Sequence, residues 1–200
     1  RYWRDWSSDV CSSDLVTPAG RKRYMELLLN YILKQKNIID EYRIWVNTTN
    51  NDDIKWFEEL KLKHNGFVTL EYLPKEIIVN GNNTIHCFFK NTIDDDTIYI
   101  RFDDDIVWME DNFIETIVKF RIDNPEYFLI FGNIINNAVI DHKHQQNGII
   151  YSKEITNSCL CNIGWGDSHI CEEKHNKFIV NLSKNNINQY KFDRYETVGQ

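Results

Sequence analysis

Apolar positions along the chain fall into two spacings, one of three to four residues and one of two. Residues 21–37 carry Met25, Leu28, Leu29, Ile32 and Leu33 on one helical face, which predicts an amphipathic helix. EYRIWVNT, residues 41–48, reads as a strand, with Ile44 and Val46 set against Tyr42 and Trp45. A second helix is expected over 52–64, capped by Asp52 or Asp53, with Ile54, Phe57 and Leu60 inward. FVTLEYL predicts a strand ended by Pro74, and residues 83–93 a short helix or loop. TIYIRF, residues 97–102, is apolar on both faces, the pattern of a strand central in its sheet. Residues 110–122 read as a helix stopped before Pro125, residues 126–135 (EYFLIFGNII) as another strand, and residues 166–182 as a late helix. The pattern weakens after Asn136.

Alternating strands and helices define an α/β fold with a mostly parallel, Rossmann-like sheet flanked by helices. Ligands of such sheets sit at the carboxyl ends of the strands. Composition fits one globular domain: 200 residues, 42% hydrophobic and 26% charged. A chain of this size needs neither disulfides nor a structural metal to fold. The net charge of -7 and pI near 5.4 argue against a broad basic face for nucleic acid, so no nucleic-acid partner is expected. The longest weakly polar stretch, YFLIFGNIINNAVI, is too short for a bilayer crossing and holds three Asn, so no transmembrane segment is expected. The charged start lacks the apolar core of a secretory signal.

The first fifteen residues have no usable period. Within them, DWSSDVCSSDL resembles the translation of a common sequencing adapter. On that reading residues 1–15 are a non-native segment, disordered or irregular, standing where a strand should precede Val16. Residues 16–200 are then a single partial domain, expected to be truncated at both ends.

TIYIRF runs into Asp103, Asp104 and Asp105, at the end of the strand where the carboxyl-end rule places chemistry. If the chain stays extended, Asp103 and Asp105 share a face and Asp104 points away. Two carboxylates side by side repel unless a cation lies between them, and Mg²⁺ or Mn²⁺ suits oxygen ligands. A second triplet, Asp94 to Asp96, precedes the same strand and reads as a solvated turn.

YIRFDDDIVWME resembles the Asp-x-Asp region of GT-A-fold glycosyltransferases, in particular small viral and environmental ones. The likeness extends to VTPAGR, IWVNT and FRIDNPEYFLIFGNIINN, and so to most of residues 16–200. It implies a GT-A fold and a metal-dependent transferase that takes a sugar from a UDP- or GDP-linked donor to a glycan, protein or lipid acceptor. In the family pattern the last Asp binds the metal and the first contacts ribose or a metal-bound water. Those roles fall on Asp105 and Asp103, with Asp104 secondary and Mn²⁺ or Mg²⁺ as cofactor. A cytoplasmic setting, in a virus-infected or bacterial cell, goes with this reading. The nucleotide is expected over the first two loops, with Thr17, Gly20 and Arg21 from VTPAGR and Asn47 from the second. Asn133, Asn136 and Trp165 are candidates for the acceptor side, and Gly164–Gly166 for a lid. The catalytic base is not fixed; Asp167, Glu172 and Glu173 lie within reach in sequence.

Two rivals stand beside this reading. One is a nucleotidyl- or phosphoryl-transferring enzyme on a similar sheet; the other is a truncated, non-catalytic protein that binds sugar nucleotide or glycan. Cys159, Cys161, His169, Cys171 and His175 fit the usual zinc spacing poorly, and the cysteines read as free thiols, buried or on the surface. His142 and His144 read as surface-loop residues.

Overall fold

The computed structural model describes residues 12–135, 137–148 and 167–192. Its contacts divide the chain into two compact units, Arg1–Ile130 and Phe131–Gln200, where the sequence suggested one domain from residue 16 onward.

The first unit is an α/β fold with a four-stranded, all-parallel sheet. Its strands are β1 (Ser12–Ala19), β2 (Glu41–Val46), β3 (Val68–Tyr72) and β4 (Thr97–Arg101). They lie in the order β3-β2-β1-β4. Helix α1 (Lys22–Lys34) joins β1 to β2, and α2 (Asn51–Lys63) joins β2 to β3. Two 3₁₀ segments, Gly81–Asn83 and Ile85–Asn91, precede β4, and α3 (Phe113–Asp123) follows it. The chain steps outward from β1 to β3, then crosses back to lay β4 on the opposite side of β1. The strand order therefore reverses between β1 and β4, and their carboxyl ends flank the switch point. TIYIRF is thus an outer strand among the described residues rather than a central one.

Strand parity sets the packing. Leu15 and Ala19 of β1 and Tyr42, Ile44 and Val46 of β2 join one apolar cluster. Met25, Leu28 and Ile32 of α1, Phe57 and Leu60 of α2, and Ile114 and Val118 of α3 complete it. Val16 and Trp45, of the opposite parity, pack with Phe88, whose ring stacks on Trp45 at 5.3 Å. Tyr42 therefore shares a face with Ile44 and Val46, and only Trp45 of the expected pair turns away.

Ser12–Leu15, expected to be irregular, form the first half of β1. They lack a sequence period because the strand is buried along nearly its whole length. Their polar groups are matched individually. Ser12 Oγ lies 2.7 Å from Thr97 Oγ1, Ser13 N–H donates to Asp40 Oδ2 at 2.9 Å, and the Ser13 hydroxyl donates to the Ile38 carbonyl. Asp14, 3% exposed, accepts from Arg43 Nη2 at 2.6 Å. Arg43 also donates to Glu41 at 2.8 Å and to the Asn91 carbonyl at 3.1 Å.

Helix α2 is capped by Asn50 rather than by Asp52 or Asp53. The Asn50 side chain accepts from the N–H groups of Asp52 at 2.8 Å and Asp53 at 3.4 Å. That releases Asp53 to accept from Lys22 N–H at 3.1 Å, so a side chain of α2 satisfies the first turn of α1.

The second unit holds α4 (Ala138–Gln146), α5 (Ser168–Ser183) and a 3₁₀ turn, Ile187–Tyr190. EYFLIFGNII forms no strand over its described residues. Phe128 is 98% exposed, and Leu129 and Phe131 also face solvent. His142 and His144, expected in a surface loop, lie on α4, and His144 is fully buried. Its Nε2 lies 3.0 Å from the Tyr190 carbonyl and its ring stacks on Phe192 at 4.7 Å. Buried Lys174 of α5 donates to buried Asp141 of α4 at 2.6 Å, and Gln145 donates to the same oxygen at 2.9 Å.

Candidate functional site

β1 and β4 end side by side. The Phe102 N–H still pairs with the Val16 carbonyl at 3.0 Å, and on the other side Asn47 N–H pairs with the Ala19 carbonyl at 2.9 Å. Three loops therefore meet at Gly20 and Arg21. Gly20 suits that closeness: an added Cβ would stand 3.3 Å from the Asn47 carbonyl oxygen, so that one of them must give by a few tenths of an ångström, and in ordinary contact at 3.4 Å from Thr48 Cβ.

Beyond Arg101 the extended chain stops, and a turn at Asp104 and Asp105 replaces the strand. The alternation that would put Asp103 and Asp105 on one face ends with it. Asp104 is the carboxylate that turns into the fold, its side chain 8% exposed. Its Oδ2 accepts from Gly20 N–H at 2.9 Å, and its Oδ1 accepts from Arg21 Nε at 3.0 Å and from Arg21 Nη2. This forked, charge-assisted geometry ties the end of β4 to the start of α1. The Asp104 hydrogen bond is the first cause holding the Arg21 proton more firmly than usual, and it outweighs partial burial.

The flanking carboxylates point outward and each has an arginine. Asp103, 63% exposed, accepts from Arg101 Nη2 at 2.6 Å. Asp105, 49% exposed, lies 3.0 Å from Arg21 Nη2. Protein cations thus supply what the sequence reading asked of a metal ion, so the triplet is tolerable as it stands. The earlier triplet, Asp94 to Asp96, is exposed ahead of β4, as its turn reading requires, and Asp94 accepts from the Tyr99 hydroxyl at 2.8 Å.

The other nucleotide candidates are committed to the fold. Thr17 is fully buried inside β1. Gly20 N–H is engaged by Asp104, and Lys22 N–H by Asp53, so carboxylates of the chain already take amides at the α1 start that an anion would need. The Asn47 side chain donates to the Gly81 carbonyl at 2.9 Å and accepts from the Thr84 hydroxyl at 2.8 Å, a clamp on the first 3₁₀ segment. Arg21, with its side chain 47% exposed, faces solvent more openly than the partly buried Gly20 and Asn47.

On the proposed acceptor side, the Asn133 amide donates to the Tyr190 carbonyl at 2.7 Å. Asn136, Trp165, Gly164–Gly166, Cys159 and Cys161 lie outside the described residues. Of the candidate bases, Asp167 caps α5, accepting from His169 N–H at 2.9 Å and Ile170 N–H at 3.2 Å. Glu172 and Glu173 are exposed on the same helix. No described residues form a group of three or more His, Cys, Asp or Glu placed to hold a metal.

Sequence reasoning missed the central role of Asp104. A usable signal was present: an acidic run after one strand and a Gly-Arg pair after another, both at carboxyl ends, are complementary if those strands are neighbours.

The chain matches no protein-family model, no curated protein and no solved structure. Among the described residues, no helix is long and apolar enough to cross a membrane.

Proposed function

We propose that the chain is a metal-dependent glycosyltransferase of the GT-A type, moving a sugar from a UDP- or GDP-linked donor to a hydroxyl of a glycan, protein or lipid. One observation carries the reading. At the switch point of a parallel sheet, the β4 end displays two accessible carboxylates, Asp103 and Asp105, around an anchored third.

The donor set suits Mn²⁺ or Mg²⁺. Carboxylate oxygens are hard ligands, and Mg²⁺ in particular takes one or two of them with waters and substrate phosphates. Asp105 and Asp103 would hold the ion, and no third protein ligand is needed. A bound divalent ion supplies Lewis-acid stabilisation of the charge that develops on the departing nucleoside diphosphate. The chain's own contributions are positional. Asp104 fixes the turn that presents Asp103 and Asp105, and Arg21 brings a second positive charge to the diphosphate side.

Product analysis tests the reading. With Mn²⁺ present, the protein should release UDP or GDP from a sugar nucleotide and leave nucleoside triphosphates intact, and Asp105→Asn should abolish the release. Cleavage of triphosphates without action on sugar nucleotides would favour the phosphoryl- or nucleotidyl-transfer alternative. Donor binding without release would favour a non-catalytic binding protein.

A further inference from the structure

In the second unit, two buried acceptor atoms on one helix face have no hydrogen to accept. Asp141 and His144 lie one turn apart on α4, 1% and 0% exposed, so their side chains are neighbours. His144 Nε2 stands 3.0 Å from the Tyr190 carbonyl. A carbonyl only accepts, so Nε2 carries the ring hydrogen and Nδ1 of the neutral imidazole is a bare lone pair. Asp141 Oδ2 takes two donors, Lys174 Nζ at 2.6 Å and Gln145 Nε2 at 2.9 Å. Asp141 Oδ1 and His144 Nδ1 are buried and take no hydrogen bond from the described residues. Buried acceptors left bare are costly, and in native interiors such groups are bonded to protein or to ordered water.

We infer that α4 holds an internal water that donates one hydrogen to Asp141 Oδ1 and the other to His144 Nδ1. Two neighbouring acceptors call for a ligand with two donors, and water is the smallest that a closely packed helix face admits. The Lys174 ammonium already on this carboxylate disfavours a cation in that place. A proton on Nδ1 would instead put a second buried positive charge near Lys174. The water also has a consequence for the fold. With Nδ1 occupied as an acceptor, the ring hydrogen stays on Nε2, where it clasps the Ile187–Tyr190 turn to α4. This site is independent of the transferase reading.

Two measurements test it. Side-chain nitrogen NMR near pH 7.5 should show His144 neutral, with its hydrogen on Nε2 and with Nδ1 accepting a hydrogen bond. Relaxation dispersion of water oxygen counts long-lived internal waters. The double variant Asp141→Leu/Lys174→Met removes the buried charge pair as a unit, the kind of replacement that interiors tolerate. It should lose one long-lived water relative to wild type, and its Nδ1 signal should move to that of an unbonded acceptor. An imidazolium, a hydrogen on Nδ1 or an unbonded Nδ1 in wild type overturns the inference. So does an undiminished water count in the folded double variant. If that variant does not fold, the wild-type nitrogen spectrum decides.

Discussion

Asp104 accepts from Arg21 Nε at 3.0 Å, joining two residues 83 positions apart across the ends of β1 and β4. With Gly20 N–H on its other oxygen, this carboxylate is the joint of the switch point. Asp104→Ala leaves a backbone donor and a guanidinium without their partner and should destabilise the fold by about 2–3 kcal/mol. Asp103→Ala removes only an exposed pair and should change stability by about 0.5 kcal/mol or less. Urea midpoints measure both. Equal losses would show that Asp104 is not the structural member of the triplet.

Arg43 is a second hub, beneath the same strands. It pairs with Asp14, Glu41 and, at 3.8 Å, Glu71. Burial already pushes the Asp14 carboxyl above its ordinary range, against the pull of Arg43. Asp14→Asn should therefore cost about 1 kcal/mol or less, since Arg43 keeps two carboxylates. Arg43→Met strands three acids together and should cost about 3 kcal/mol. The asymmetry, read from paired denaturation curves, is the outcome to check; a larger loss from Asp14→Asn would contradict it.

The second unit should be acid-sensitive through His144. Burial lowers its pKa below the ordinary 6.5, outweighing the Tyr190 carbonyl and Asp141, which both favour the proton. Above pH 6.5 the imidazole is neutral in folded and unfolded chain alike, and its contribution is complete. As pH falls below 6.5, the unfolded chain gains a proton that the buried ring resists, and stability is lost by at most about 1.4 kcal/mol per pH unit. Melting at pH 7.5 and 5.5 should show a drop that His144→Gln reduces. An undiminished drop in the variant would place the sensitivity elsewhere.

Much of the first unit was legible because its elements obey simple periods. Met25, Leu28 and Ile32 mark α1, Phe57 and Leu60 mark α2, and Ile44 and Val46 mark the inward face of β2. Features that depend on neighbours were not legible. Ser12–Leu15 look unstructured until Ile38, Asp40, Arg43 and Thr97 are placed beside them. The orientation of the triplet was misjudged because alternation holds only while the backbone is extended, and here it ends at Arg101. EYFLIFGNII alternates poorly and is apolar enough for a strand, yet propensity alone forms none without a paired neighbour. His144 looked like a loop residue because nothing local announces Tyr190 and Phe192.

Thermal melting with Mn²⁺ and UDP or GDP tests most directly whether the β1–β4 switch point takes a metal–diphosphate pair. At ligand a hundredfold above its dissociation constant, mass action contributes about 2.7 kcal/mol, a rise of several degrees. That rise is expected in wild-type protein, with both Mn²⁺ and nucleotide required, and is expected to vanish in Asp105→Asn. A midpoint that stays fixed in well-folded protein, or one that rises equally in Asp105→Asn, would contradict it.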